Sequence, residues 1–224
     1  MNRISQNSLI FLRDLSRNNN KVWFDENRTR YESVKNEIRG FFSTVFEGLK
    51  KTDDIEEMHI FRINRDIRFS KNKAPYKNHF GVHFKRREPH LRGGYYLHIE
   101  PDNKSFLAGG FWAPSKEDTL RIRQEFELDA EPIRKIISEP LFAKTFGEIR
   151  GEKLATAPKG FDKLNKNIDL IKHKNWYFEK HFTDQEVLSV QFQEQVLSAF
   201  LLLRPFFDYM SDVLVTDANG EPIY

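Results

Sequence analysis

Three observations predict an α+β fold. Apolar residues recur every three or four positions at both ends of the chain, they alternate in the middle, and the links between the alternating runs are short. Strands grouped this way form an antiparallel meander. The expectation is a sheet of about four strands in the middle of the chain, packed by N- and C-terminal helices on one face. The 224 residues read as a single domain with a helical part over 1–54, the sheet over 55–113 and a mainly helical part over 114–224.

The first third is justified by its apolar spacing. Leu9, Leu12 and Leu15 mark one short helix, and Asn18, Asn19 and Asn20 supply a stop and a restart. After Trp23 and Phe24, the residues Tyr31, Val34, Ile38, Phe41, Phe42, Val45 and Leu49 line one face of a long helix. The polar stretch 50–54 ends it. In the middle third, 59–64, 79–86, 94–100 and 105–112 carry strand-type residues, separated by turn chemistry at 88–93 and 101–104. In the last third, Pro114 and Ser115 open a helix, and Pro132 and Pro140 suit the starts of two more. Thr183 followed by Glu186 has the capping-box pattern and introduces a helix from 187 to about 203, which Pro205 breaks or kinks. Ala218, Asn219 and Gly220 predict a closing turn.

Composition narrows the chemistry. Hydrophobic residues make up 39% and charged residues 31%, as in ordinary soluble proteins, but the 21 phenylalanines predict a core of ring-to-ring contacts. The chain has no cysteine, which excludes disulfides, thiolate nucleophiles and cysteine-based zinc sites and fits a reducing compartment. No long apolar segment follows Met1, so no signal peptide is expected. The longest apolar run, 199–203, is far too short to span a bilayer. A cytoplasmic protein without membrane contact is expected.

Charge is distributed unevenly. The segment 62–92 holds ten Lys or Arg against two acids, Asp66 and Glu88, whereas the whole chain has a formal net charge of only +3. A basic island on an otherwise acidic chain points to an anionic partner. Arg62, Arg65 and Arg68 recur every three residues, and guanidinium forks grip phosphate or carboxylate at two points. Asp66 is placed to orient one of these arginines, and Lys73 and Lys77 add charge.

Strand alternation sorts the middle third into two faces. Phe61, Ile63, Phe80, Val82, Phe84, Tyr95, Leu97 and Ile99 form a core face. Arg62, Asn64, His79, Gly81, His83, Lys85, Tyr96, His98 and Glu100 form the opposite one. His83, His98 and Glu100 are then neighbours. Two imidazoles and a carboxylate suit a divalent metal or acid–base work. No HExxH or close His-x-His pair is present, so no metal and no cofactor is assigned. His98 and Glu100, with His83 or Tyr76 near, are the acid–base candidates. Arg62, Arg65, Asp66, Arg68, Lys73, Lys77 and Tyr96 are the ligand-binding candidates. Rings between basic residues (Phe69, Tyr76, Phe80, Phe84) superficially suit base stacking, but most fall on the core face, so nucleic acid is not favoured.

The string Arg62-x-x-Arg65-Asp66-x-Arg68-Phe69, followed by Asn72, Lys73 and Tyr76, resembles the signature of an uncharacterised, mainly bacterial family, domain of unknown function 2461. Asn18-Asn19 with Trp23-Phe24, Asn27 and Tyr31 resembles its N-terminal motif. Residues 94–101 and 109–112 resemble its central ones, and 158–161 a later turn. The chain departs where such proteins often carry an Asp-His-Pro-like run, having Leu164-Asn165-Lys166-Asn167 instead. The resemblance implies no activity, but its motifs fall on the basic loop and the polar sheet face. The sequence therefore predicts a small anionic ligand, phosphate- or carboxylate-bearing, bound between that loop and that face and acted on there if there is chemistry. The alternative is a non-catalytic module docking an acidic protein or nucleic acid through the loop.

Overall fold

The computed structural model describes residues 3–217 and 220–223. Of the expected C-terminal turn, Ala218 and Asn219 lie outside the described residues. Helices α1 (Gln6–Arg17), α2 (Lys21–Glu26) and α3 (Arg28–Leu49) precede strands β1 (Ile55–Ile60), β2 (Phe80–Arg86), β3 (Gly94–Ile99) and β4 (Ser105–Phe111). Then come α4 (Lys116–Leu128), α5 (Glu131–Ser138), α6 (Pro140–Phe146), α7 (Ile168–Ile171), β5 (Trp176–Phe182), α8 (Asp184–Val187), α9 (Phe192–Leu202) and α10 (Arg204–Val215). The fold is α+β: a five-stranded antiparallel sheet in the order β1-β2-β3-β4-β5, flanked by the N- and C-terminal helices. No helix among the described residues is long and apolar enough to cross a membrane.

Three elements differ from expectation for identifiable reasons. The first strand is 55–60 rather than 59–64. It lies at the sheet edge with two exposed acids, Glu56 and Glu57, and charge on an edge strand masks the alternation. Ile63 is still buried, but Phe61 is 39% exposed and leaves the core face. The fifth strand, β5, sits within the third of the chain that reads as helical. Its partner β4 lies some 65 residues earlier, a pairing that no local signal announces. Gly110 permits their approach: its φ is +150°, and a Cβ there would stand 2.4 Å from the Trp176 carbonyl oxygen. The helix expected over 187–203 is split. Ser189 Oγ accepts from the Gln191 backbone N–H at 3.1 Å and interrupts it. Pro205 occupies the first turn of α10, where its missing N–H costs no hydrogen bond.

The chain forms two compact units. The first comprises Met1–Lys85, Tyr96–Leu107 and His181–Ser198. Its core takes Phe11, Leu12, Leu15, Ile38, Phe42 and Val45 from the first and third helices, all essentially without solvent exposure. Phe192 stacks on Phe41 at 5.3 Å and meets Phe182 edge-on at 5.1 Å. The second unit comprises Arg86–Tyr95, Ala108–Lys180 and Ala199–Tyr224. Tyr95 packs on Phe200 and Phe207, and Phe178 meets Phe142 and Phe206 nearly perpendicularly. Arg86 is fully buried there, donating to Asp208, Ser211 and the Arg92 carbonyl and lying 5.0 Å from the Phe207 ring centre. The phenylalanine excess is therefore spent on aromatic clusters inside each unit.

Candidate functional site

The site lies in the first unit and starts from a tightly fixed turn. Asp102 and Asn103, between β3 and β4, both have positive φ (67° and 60°), as in a type I′ hairpin turn. The Asp184 carboxylate holds the turn, accepting from the backbone N–H groups of Asp102 and Asn103 at 3.0 and 2.9 Å and from Arg13 at 2.8 Å. Beside it, the Ser105 hydroxyl donates to the Glu100 carbonyl at 2.9 Å and accepts from the Glu100 N–H at 3.1 Å. Glu100 is thereby anchored one residue past β3.

Tyr96, His98 and Glu100 share a face because side chains alternate along a strand. The Tyr96 hydroxyl lies 3.2 Å from His98 Nδ1, and His98 Nε2 lies 2.8 Å from Glu100 Oε2. A carboxylate only accepts, so Nε2 carries the proton and Nδ1 accepts from Tyr96, an assignment that follows from the network. Asn78 donates to the other carboxylate oxygen, Oε1, at 2.9 Å, and Lys104 Nζ is 3.8 Å from it. His79 arrives from the position just before β2. Its Nδ1 is 3.9 Å from Glu100 Oε2, and its ring centre is 4.1 Å from that of His98. Phe106 of β4 stacks on His98 at 4.6 Å. Gly81 makes room for the Tyr96 hydroxyl, since a Cβ there would stand 2.4 Å from it.

Burial dominates the electrostatics. It pushes the His79 imidazole down to about 4; the neighbouring His98, Lys77 and Arg65 push the same way and Glu100 opposes. Burial would raise Glu100, but the His98 hydrogen bond, the His98 and His79 charges and the Asn78 hydrogen bond outweigh it and hold the carboxyl below its ordinary value. Burial, with the Glu100 charge, pushes the Tyr96 phenol up to about 12. Lys77 is lowered by its own burial and by Arg62. Its ammonium lies 5.4 Å from the Phe61 ring centre.

The structure thus brings His98, Glu100 and Tyr96 together, with Lys77 and Arg65 near enough to act on His79. Other predicted residues go elsewhere. Arg68 and Asp66 form a two-point pair at 3.0 and 2.6 Å on the exposed loop. Lys73 donates to the Ile67 carbonyl at 3.0 Å, and Arg65 to the Ala74 carbonyl at 3.1 Å. Arg62 is exposed. Tyr76 joins the N-terminal core, its ring stacked on Phe24 at 4.0 Å and its backbone bonded in both directions to the Asn19 side chain. The imidazole that meets Glu100 is that of His79 rather than His83. The two lie four residues apart, about 13 Å along an extended chain, so one carboxylate cannot serve both. His79, Asn78 and Phe106 are the residues that sequence reasoning left out of the site. Alternation placed His79 on the correct face; only the register of β2 against β3 selects it.

One donor atom from each of His79, His98 and Glu100 lies within 4.8 Å of the others. These features define an α+β protein with an imidazole–carboxylate centre on the polar side of its sheet, flanked by cations. The chain belongs to the family described as conserved hypothetical protein (DUF2461), which matches residues 7–209. Neither a curated protein nor a solved structure matches it.

Proposed function

We propose that this protein binds a small phosphate- or carboxylate-bearing molecule on the polar face of its sheet, beside Lys77, Arg62 and His79. The His98–Glu100 pair is placed to move a proton on that ligand. The observation that carries this reading is the pair Arg62 and Lys77. Two like charges stand close enough to repel, and among the described residues neither has a carboxylate within ion-pair distance. Arg62 also acts on the Asp66 carboxyl, which Arg68 already holds, whereas the partly buried Lys77 feels only Arg62 and its own burial. An anion would neutralise such a cation. The cysteine-free composition supports a cytoplasmic setting.

A second reading rests on Phe69. It is 95% exposed at the loop tip, with Arg68 5.9 Å from its ring centre. That exposure favours docking of an acidic protein or nucleic acid through the loop, although Asp66 already neutralises Arg68. Thermal unfolding against inorganic phosphate and a panel of phosphorylated and carboxylated metabolites separates the two. A ligand at about 100 times its dissociation constant stabilises the native state by about 2.7 kcal/mol. The proposal expects such a shift with at least one panel member, abolished in Lys77→Met and kept in Phe69→Ala. No shift across the panel, or an equal shift in Lys77→Met, contradicts it. Salt-dependent binding to a nonspecific polyanion, lost in Phe69→Ala, would instead support docking.

A further inference from the structure

We infer that His79, His98 and Glu100 form a binding site for a first-row divalent transition metal. The inference stands on donor geometry; any part the metal plays with an anionic ligand rests on the reading above. Glu100 Oε2 is the common point, 2.8 Å from His98 Nε2 and 3.9 Å from His79 Nδ1. Metal–ligand bonds to imidazole and carboxylate are roughly 2.0–2.2 Å long, so donor atoms around one ion stand roughly 3–3.5 Å apart. The three donors, all within 4.8 Å of one another, need side-chain adjustments on the order of 1 Å to surround an ion. Ligands of this kind, two imidazoles and one carboxylate with no thiolate, suit zinc, cobalt, nickel, iron or manganese as the divalent ion.

Groups around the donors do what outer partners of metal ligands do. Asn78 holds Glu100 Oε1 at 2.9 Å and turns Oε2 toward the imidazoles. Tyr96 Oη holds His98 Nδ1 at 3.2 Å. When a metal takes Nε2, the His98 proton resides on Nδ1 and is donated to the Tyr96 oxygen. The ring stays neutral, only its tautomer changes, and Tyr96 turns from donor to acceptor. Phe106 stacked on His98 at 4.6 Å fixes the plane of that ring. Three protein ligands leave positions open for water or for an anion. Lys77 already acts on His79 from nearby and would meet the charge of an anion bound at such a position.

The test uses Co(II) alone, titrated into chelator-treated full-length protein and followed by visible absorption, with Zn(II) competition. We expect saturable binding of a single equivalent, weakened more than about 100-fold in His79→Asn and in Glu100→Gln. Tyr96→Phe should weaken it by about 10- to 100-fold, and His83→Ala should leave it unchanged. Absence of stoichiometric binding, or equal affinity in His79→Asn and Glu100→Gln, overturns the inference. If a variant loses its cooperative unfolding transition, the wild-type protein carries the test instead. Zn(II) must then shift the ring resonances of both His79 and His98, and a shift of neither overturns the site. Phosphate titrated into metal-free protein separates the two proposals. Phosphate binding without metal binding refutes only the metal site, and the converse refutes only the anion reading.

Discussion

His79 and His173 are both drawn out of water, one in each unit, and burial pushes each imidazole down to about 4. His79 sits beside Glu100 and Lys77, where a neutral ring has partners to work with. His173 is less well served: among the described residues its buried Nδ1 has no hydrogen-bond partner. Lys153 lowers it further, and the Asn175 backbone and Asp169 oppose. Its consequence is a cost in acid. Unfolded histidine protonates near 6.5. Above that pH the ring is neutral in both states and adds no pH dependence. Between about 6.5 and about 4 the unfolded chain takes the proton and the folded one does not, so stability falls as pH falls, by on the order of 3 kcal/mol in all. Replacing His173 with Leu should remove one proton's share, about 1.4 kcal/mol per pH unit, from the slope of urea-unfolding free energy over that window. His79 contributes the same sign and remains in the variant. An unchanged slope would show that His173 titrates normally in the fold.

At the scale of elements, the centre depends on the turn between β3 and β4. That turn depends on Asp184, the first residue of α8. Its carboxylate accepts from two backbone N–H groups and from Arg13. Asp184→Ala should lower the urea midpoint by the equivalent of roughly 2 kcal/mol, with little change in the denaturant slope. It should also loosen Glu100, which the neighbouring Ser105 anchors. A midpoint equal to wild type would show that the turn is held by its own backbone preference. This arrangement was partly legible. Thr183 and Glu186 announced the start of α8, and both halves of the capping box form. The turn at 101–104 and the long helix α3 were equally readable, because turn-forming residues and apolar spacing within a few positions signal each, although Asp184, which holds the turn, gives no local sign. β5 and the start of β1 were not, because a sheet partner 65 residues away and an acidic edge leave no local periodicity.

Across the whole molecule, the sequence separated a core face from a polar face and marked 62–92 as basic. The polar face and the 62–85 part of the basic segment fall in the first unit. It could not say which charges find partners. Asp66 stands between Arg65 and Arg68 in the chain, and the fold gives it to Arg68. Arg62 and Lys77, fifteen residues apart, come near enough for Arg62 to lower Lys77, and among the described residues neither has a carboxylate within ion-pair distance. Nor could alternation choose between His79 and His83, since both sit on the same face and register alone decides. The family match spans residues 7–209 and therefore covers every residue of the centre. The central claim is that an anion binds beside Lys77, Arg62 and His79 rather than along the Arg68 loop. A heteronuclear NMR titration with inorganic phosphate tests it most directly. The account predicts saturable shifts concentrated at Arg62, Lys77, His79 and His98. Shifts centred on Arg68 and Phe69, or no saturable shift at all, would contradict it.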